Sequence, residues 1–210
     1  MNPASVKHLL IDLGGVLYEI NVARTLAAYN HLREPGTPIV DYGHSASQLE
    51  LFSQLDAGKI SIDDFAQGLK DAYRLDADLE QIKEIWKSLL IGVLPGRKKA
   101  LKALTQQYDL VLLSNTSEYH YDHYKSECKD LFDQMDHLFL SFKMGVRKPN
   151  PEIYQQALDK MGWKAEETMF WDDSRENIEA AAALGIQTWW MKDHDEFHHA
   201  VAALLEQAPA

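Results

Sequence analysis

The chain has 210 residues, 46 % hydrophobic and 25 % charged, with a formal net charge of −11. That length accommodates one domain with a large insertion or two small domains. The acidic balance, with no local basic patch, argues against nucleic acid and anionic membrane surfaces as partners, whereas a few local cations can still outweigh a distant negative field and admit a small anionic substrate.

No apolar run is long enough to cross a bilayer. The N-terminus, MNPASVKHLL, lacks a basic segment followed by a long apolar core and a small-residue cleavage site, so it does not read as a signal peptide. Cys128 is the only cysteine, which rules out an intrachain disulfide and fits a cytoplasmic setting.

Leu9, Leu10 and Ile11 form a short apolar run, as expected of a strand buried on both faces. Asp12 ends it, and Gly14 and Gly15 allow a sharp turn beyond it. In open α/β sheets, sites gather at the carboxyl ends of strands, which makes Asp12 a candidate nucleophile. Apolar residues at helical spacing predict a helix over 22–32, broken at Glu34 to Pro38. A second helix is expected over 47–55, with a turn at Ala57 to Lys59. A third starts from Ser61 as N-cap, with Asp64 in its first turn, and a fourth begins at Asp78 and places Leu79, Ile82, Ile85, Trp86 and Leu89 on one side. Residues 19–93 thus read as an inserted helical cap without a strong strand, and 1–18 with 94–210 as the core.

From Pro95 onward, helix and strand alternate. Helices are predicted over 97–107, 119–132, 151–161, 174–184 and 197–205, and strands over 110–113, 138–140, 168–171 and 187–191. Asn150 and Pro151 open the third of these helices as N-cap and first helical residue, and Gly185 closes the fourth. The final QAPA reads as a frayed end. The rhythm predicts an α/β fold, a Rossmann-like, mostly parallel sheet with helices on both faces and an inserted helical cap.

Besides Asp12, three features lie just beyond predicted strands or on a loop between a strand and a helix. Ser114-Asn115-Thr116 offers a hydroxyl and an amide, suited to phosphoryl oxygens. Arg147-Lys148 offers a point charge suited to a phosphate or an aspartate. Asp172-Asp173 is a pair of adjacent acids that repel unless a cation neutralises them, and Mg²⁺, with its preference for hard oxygen ligands, fits best. Singly, each feature is more often a turn or helix cap; their order on alternating strands is far more specific.

DLGGVL, LLSNT, GVRKPNPEIY and WDDSRENIEAA together resemble the four ordered motifs of the haloacid dehalogenase-like hydrolase superfamily. The helical stretch lies where subfamily I members carry a cap, and the variety is similar to bacterial sugar-phosphate phosphatases and the N-terminal phosphatase domain of soluble epoxide hydrolase. The resemblance implies a Mg²⁺-dependent phosphatase acting on a small phosphorylated metabolite. Asp12 would form an aspartyl-phosphate and, with Asp173 and the Gly14 carbonyl, ligate the metal, supported by Asp172. Ser114 and Asn115 would bind substrate, Lys148 would neutralise the nucleophile and phosphate, and Asn177 would brace the last motif loop. A homodimer is compatible with the chain.

Such phosphatases usually carry a second Asp two residues after the nucleophile, as general acid; here that position is Gly14. Glu19, seven residues past Asp12, is the substitute candidate, and Tyr18 and Arg24 are candidate substrate contacts. Two other readings compete: a metal-independent 2-haloacid dehalogenase, disfavoured by Asp172-Asp173, and a catalytically weak phosphate-binding regulatory module. The His120 and His123 pair lacks a third metal ligand and reads as part of an aromatic helix. Cys128 reads as structural.

Overall fold

The computed structural model describes residues 5–37, 39–40 and 46–206; for 46–49 it gives the backbone alone. Met1 to Ala4, Pro38 and the terminal QAPA therefore lie outside the described residues. The first strand, β1 (His8–Ile11), leads through the glycine turn into β2 (Tyr18–Ile20). Four helices follow: α1 (Val22–His31), α2 (Ala46–Asp56), α3 (Ile62–Tyr73) and α4 (Leu79–Lys87). β3 (Leu90–Val93) returns antiparallel to β2. Alternation then sets in with α5 (Arg97–Leu104), β4 (Asp109–Ser114), α6 (Glu118–Tyr124), α7 (Lys129–Phe132), β5 (His137–Leu140), α8 (Ser141–Met144) and α9 (Pro151–Met161). It ends with β6 (Thr168–Asp172), α10 (Arg175–Ala183), β7 (Gln187–Trp190) and α11 (His194–Leu205).

Five strands form one parallel sheet in the order β5-β4-β1-β6-β7. β1 is central, and Leu9, Leu10 and Ile11 have no exposed surface. Their alternation sorts the core. Leu9, Ile11, Leu110, Leu112, Met169 and Trp171 pack on one face with residues of α5 and α11. Leu10, Val111, Leu113 and Phe170 pack on the other with α9 and α10. Period-2 side-chain direction thus gives each strand two apolar faces, which is why a continuous apolar run is the right signature for it.

The caps act as the sequence predicts. The Ser61 side chain accepts from the Asp64 N–H while Asp64 answers the Ser61 backbone, a capping box worth about 1 kcal/mol. Asp78 and Gln81 form a second one, and Asn150 caps α9 with Pro151 at its start. Helices α1 to α4 bury their own cluster, in which Phe52, Phe65 and Trp86 meet with ring centroids 5.2–5.3 Å apart.

Two expectations are corrected. The stretch 19–93 is not free of strands, because β2 and β3 pair at its two ends. And 119–132 is not one helix but α6 and α7, separated at 125–128. The break has a cause: it turns Glu127 back toward the ribbon, where its carboxylate accepts from the Tyr18 hydroxyl at 2.9 Å and from the Val93 N–H at 3.1 Å. No described helix is long and apolar enough to cross a membrane.

Candidate active site

Parallel register brings the acids together. Ile11 pairs with Trp171, so Asp12 and Asp172 leave the sheet side by side at its carboxyl edge, and the Asp12 N–H donates to the Trp171 carbonyl at 2.9 Å. Gly15 has φ +73°, where side chains are strained, and a Cβ there would collide with the Asp173 carboxylate. Glycine is thus what lets the first loop pass beside Asp173.

Lys148 lies between two of the acids. Its Nζ is 2.8 Å from Asp12 Oδ1 and 2.6 Å from Asp172 Oδ2, and the side chain is 1 % exposed. The Asn115 side chain fixes this lysine's backbone from both directions, donating to the Lys148 carbonyl at 2.9 Å and accepting from its N–H at 2.8 Å. The other Asp172 oxygen accepts from the Ser174 N–H at 2.8 Å and from Asn177 Nδ2 at 2.9 Å. Asn177 therefore braces Asp172, and both Asp172 oxygens are engaged.

Burial is the largest influence on the Asp12 carboxyl and pushes it up; Lys148 opposes this, while Asp172 and Asp173 add to it. Asp173 is pushed up to about 6, first by burial and then by Asp172. Burial would lower the Lys148 ammonium, but Asp12 and Asp172 outweigh that and raise it. One oxygen from each of Asp12, Asp172 and Asp173 lies within 4.8 Å of the others. Three carboxylates around one ammonium leave an excess of negative charge, and hard oxygen donors in that surplus suit a divalent cation such as Mg²⁺.

The cluster opens into a cavity of about 850 Å³, lined also by Gly14, Asn115 and residues of α1, α2 and α4. Ser114 ends β4 and is 2 % exposed. Ser114, Glu19, Tyr18 and Arg24 do not line this cavity. Glu19 is exposed on β2, Tyr18 is spent on Glu127, and Arg24 donates to the Ser88 carbonyl at 2.9 Å. His120 lines the cavity and His123 does not, and each faces a backbone carbonyl, of Trp86 at 3.0 Å and of Tyr119 at 2.6 Å, rather than a common point.

Sequence reasoning missed Asp56. It belongs to α2 yet lines the same cavity and pairs with Arg147 across a sequence gap that no local pattern signals.

Comparison with known proteins agrees with this geometry. A D-ribitol-5-phosphate phosphatase of Bacteroides thetaiotaomicron is 28 % identical over 207 residues, covering 95 % of this chain and 98 % of its own. A sesquiterpene phosphatase, astK, of Aspergillus oryzae is also 28 % identical, with 86 % and 87 % covered. Among solved structures, the HAD family enzyme bt-2542 of Bacteroides thetaiotaomicron, in complex with magnesium and inorganic phosphate, superposes with a TM-score of 0.71 at 29 % identity, covering 88 % of this chain and 93 % of the other. The family model for haloacid dehalogenase-like hydrolases matches residues 6–185, from the approach to β1 to the glycine after α10, and the chain belongs to that family.

Proposed function

We propose that the protein is a Mg²⁺-dependent phosphatase that hydrolyses small phosphomonoesters through an aspartyl-phosphate on Asp12. The observation that carries this reading is the buried Lys148 bridging Asp12 and Asp172, with Asp173 beside them, in the lining of a cavity. The phosphatases similar along nearly the whole chain support it, as does the neighbour solved with magnesium and phosphate.

Asp12 and Asp173, with the Gly14 carbonyl, would hold the metal, and Asp172 would support them. Bound there, Mg²⁺ supplies charge to the phosphoryl oxygens and lets the substrate dianion approach a carboxylate. An Asp12 oxygen attacks phosphorus, the phosphorus–oxygen ester bond breaks and the alkoxide departs as the alcohol, taking its proton from water; a second water then adds its oxygen to phosphorus, gives up a proton to solvent and cleaves the acyl phosphate, returning free Asp12 and inorganic phosphate. The Lys148 ammonium offsets negative charge on Asp12 and the transferring group. Asn115 keeps Lys148 in place through its backbone, and Ser114 is assigned to a phosphoryl oxygen. Residues 19–93 act as a cap that closes over the organic part of the substrate and excludes water. The single, buried Cys128 suits a cytoplasmic enzyme.

The test is release of p-nitrophenol from p-nitrophenyl phosphate. Activity is expected with Mg²⁺, to be lost in chelator, and to fall to background in Asp12→Asn. Turnover that survives this substitution would remove Asp12 as nucleophile.

A further inference from the structure

The cavity has a polar wall that the chemistry at Asp12 does not use. Asp56, at the end of α2, is only 7 % exposed. Arg147 Nε stands 3.4 Å from Asp56 Oδ2, and Arg147 NH1 donates to Ser53 Oγ at 3.2 Å. Asp56, Arg147 and Ser53 all line the cavity that also holds Asp12 and Lys148. The two basic residues are consecutive, so one loop carries Lys148 to Asp12 and Arg147 to Asp56. The Asp56 carboxyl, pushed up to about 6 chiefly by burial, also feels the Lys148 charge, which places the wall near the reacting end.

Asp56 lines the cavity, and among the described residues its partner is Arg147, held as an ion pair. A carboxylate is acceptor-only, so one that lines a cavity offers acceptors to whatever enters. The ion pair supplies charge but no hydrogen bond, since Arg147 Nε lacks a hydrogen-bond acceptor. A ligand that carries donors therefore finds an acceptor at Asp56. An ammonium would do so but meets Arg147 and Lys148. A second anion would satisfy Arg147 but meets Asp56. A hydroxyl is neutral, donates to a carboxylate and accepts from a guanidinium at once.

We infer that Asp56 and Arg147, aided by Ser53, form a hydroxyl-reading subsite that makes phosphate monoesters of short polyols the preferred substrates. This rests on the phosphatase reading above and adds to it the specificity of the organic end. The same cavity is also lined by the apolar Ile20, Leu26, Trp86 and Leu89, which suit the carbon chain.

The experiment compares ribitol 5-phosphate with n-pentyl phosphate, which share chain length and a primary-alkoxide leaving group and differ in hydroxyls. p-Nitrophenyl phosphate serves as the general phosphatase probe. The wild-type protein is expected to favour the polyol ester by at least tenfold in kcat/KM, since a site built to bind hydroxyls rejects an analogue lacking them. In Asp56→Leu that ratio is expected to drop at least tenfold, and Asp56→Asn, which still bonds to a hydroxyl, should lie between. The wild-type ratio reads the subsite even if a variant fails to fold. A wild-type ratio near one overturns the subsite, as does an equal loss on both esters in Asp56→Asn. Absence of Mg²⁺-dependent turnover on all three esters overturns the phosphatase reading itself, and the subsite with it.

Discussion

Lys148 shows what a single residue decides here. Its ammonium is almost fully buried, and its two partners are carboxylates themselves buried at 8 % and 0 % exposure. Taking one partner out of a buried ion pair costs about 3–5 kcal/mol, because the remaining charge has neither water nor counterion. Lys148→Met is therefore expected to lower the unfolding free energy by about that amount in urea titrations with chelator present, and to reduce turnover by at least ~10²-fold. Added Mg²⁺ should recover part of the stability, because a divalent cation binding only the folded state supplies the missing charge. A stability loss below about 1 kcal/mol would mean that the acids are not held by this lysine. Asp12, Lys148 and Asp173 could be picked from the sequence because each lies in a short contiguous motif, after an apolar strand for the two acids and on the loop between α8 and α9 for the lysine. Asp56 could not, since its meaning comes from Arg147, which meets it only in the folded chain.

At the scale of elements, periodicity and caps located most helices and the strands of the central sheet. What they missed depends on partners distant in sequence. β2 and β3 are short strands of three and four residues that exist by pairing with each other. The interruption between α6 and α7 follows from Glu127 reaching that ribbon. Helix α6 also carries a pH-sensitive contact with α4. His120 stacks on Trp86, with ring centroids 4.8 Å apart, and its Nε2 donates to the Trp86 carbonyl. Burial holds this imidazole down to about 4 from the ordinary 6.5, with the bond to Trp86 opposing and nearby His123 adding slightly. Between those pH values the unfolded chain binds a proton that the folded chain does not. Stability from this group is thus complete above pH 6.5 and is lost as pH falls toward 4, by roughly 3 kcal/mol. In urea melts at pH 7, 6, 5 and 4.5, His120→Phe should show a shallower acid slope than the wild-type chain, whatever its absolute stability. Parallel slopes would place the acid sensitivity elsewhere.

Over the whole molecule, the cavity is built from two bodies of packed side chains, one on the sheet and one within α1 to α4. A Rossmann-like sheet with an inserted helical stretch was legible from alternation and composition. How closely the two would meet was not, because it depends on a turn whose neighbour is far along the chain. Gly58, just after α2, has φ +65°, and a Cβ there would overlap the backbone carbonyl of Phe142 in α8. A backbone carbonyl of a helix cannot swing away as a side-chain tip can, so Gly58→Ala must displace the α2 end, and with it Asp56. The substitution also forces alanine into a left-handed conformation, at about 1 kcal/mol. The expected outcome is a fall of about tenfold in kcat/KM for a phosphate ester, since small misplacements of positioning groups cost that order of rate. Mg²⁺ affinity, read by calorimetric titration, should remain, because Asp12 and Asp173 stand on the sheet side and do not move with α2. Equal losses in Mg²⁺ affinity and turnover would instead show that the turn supports the sheet edge, and the reading of 19–93 as a separately moving cap would then lose its ground.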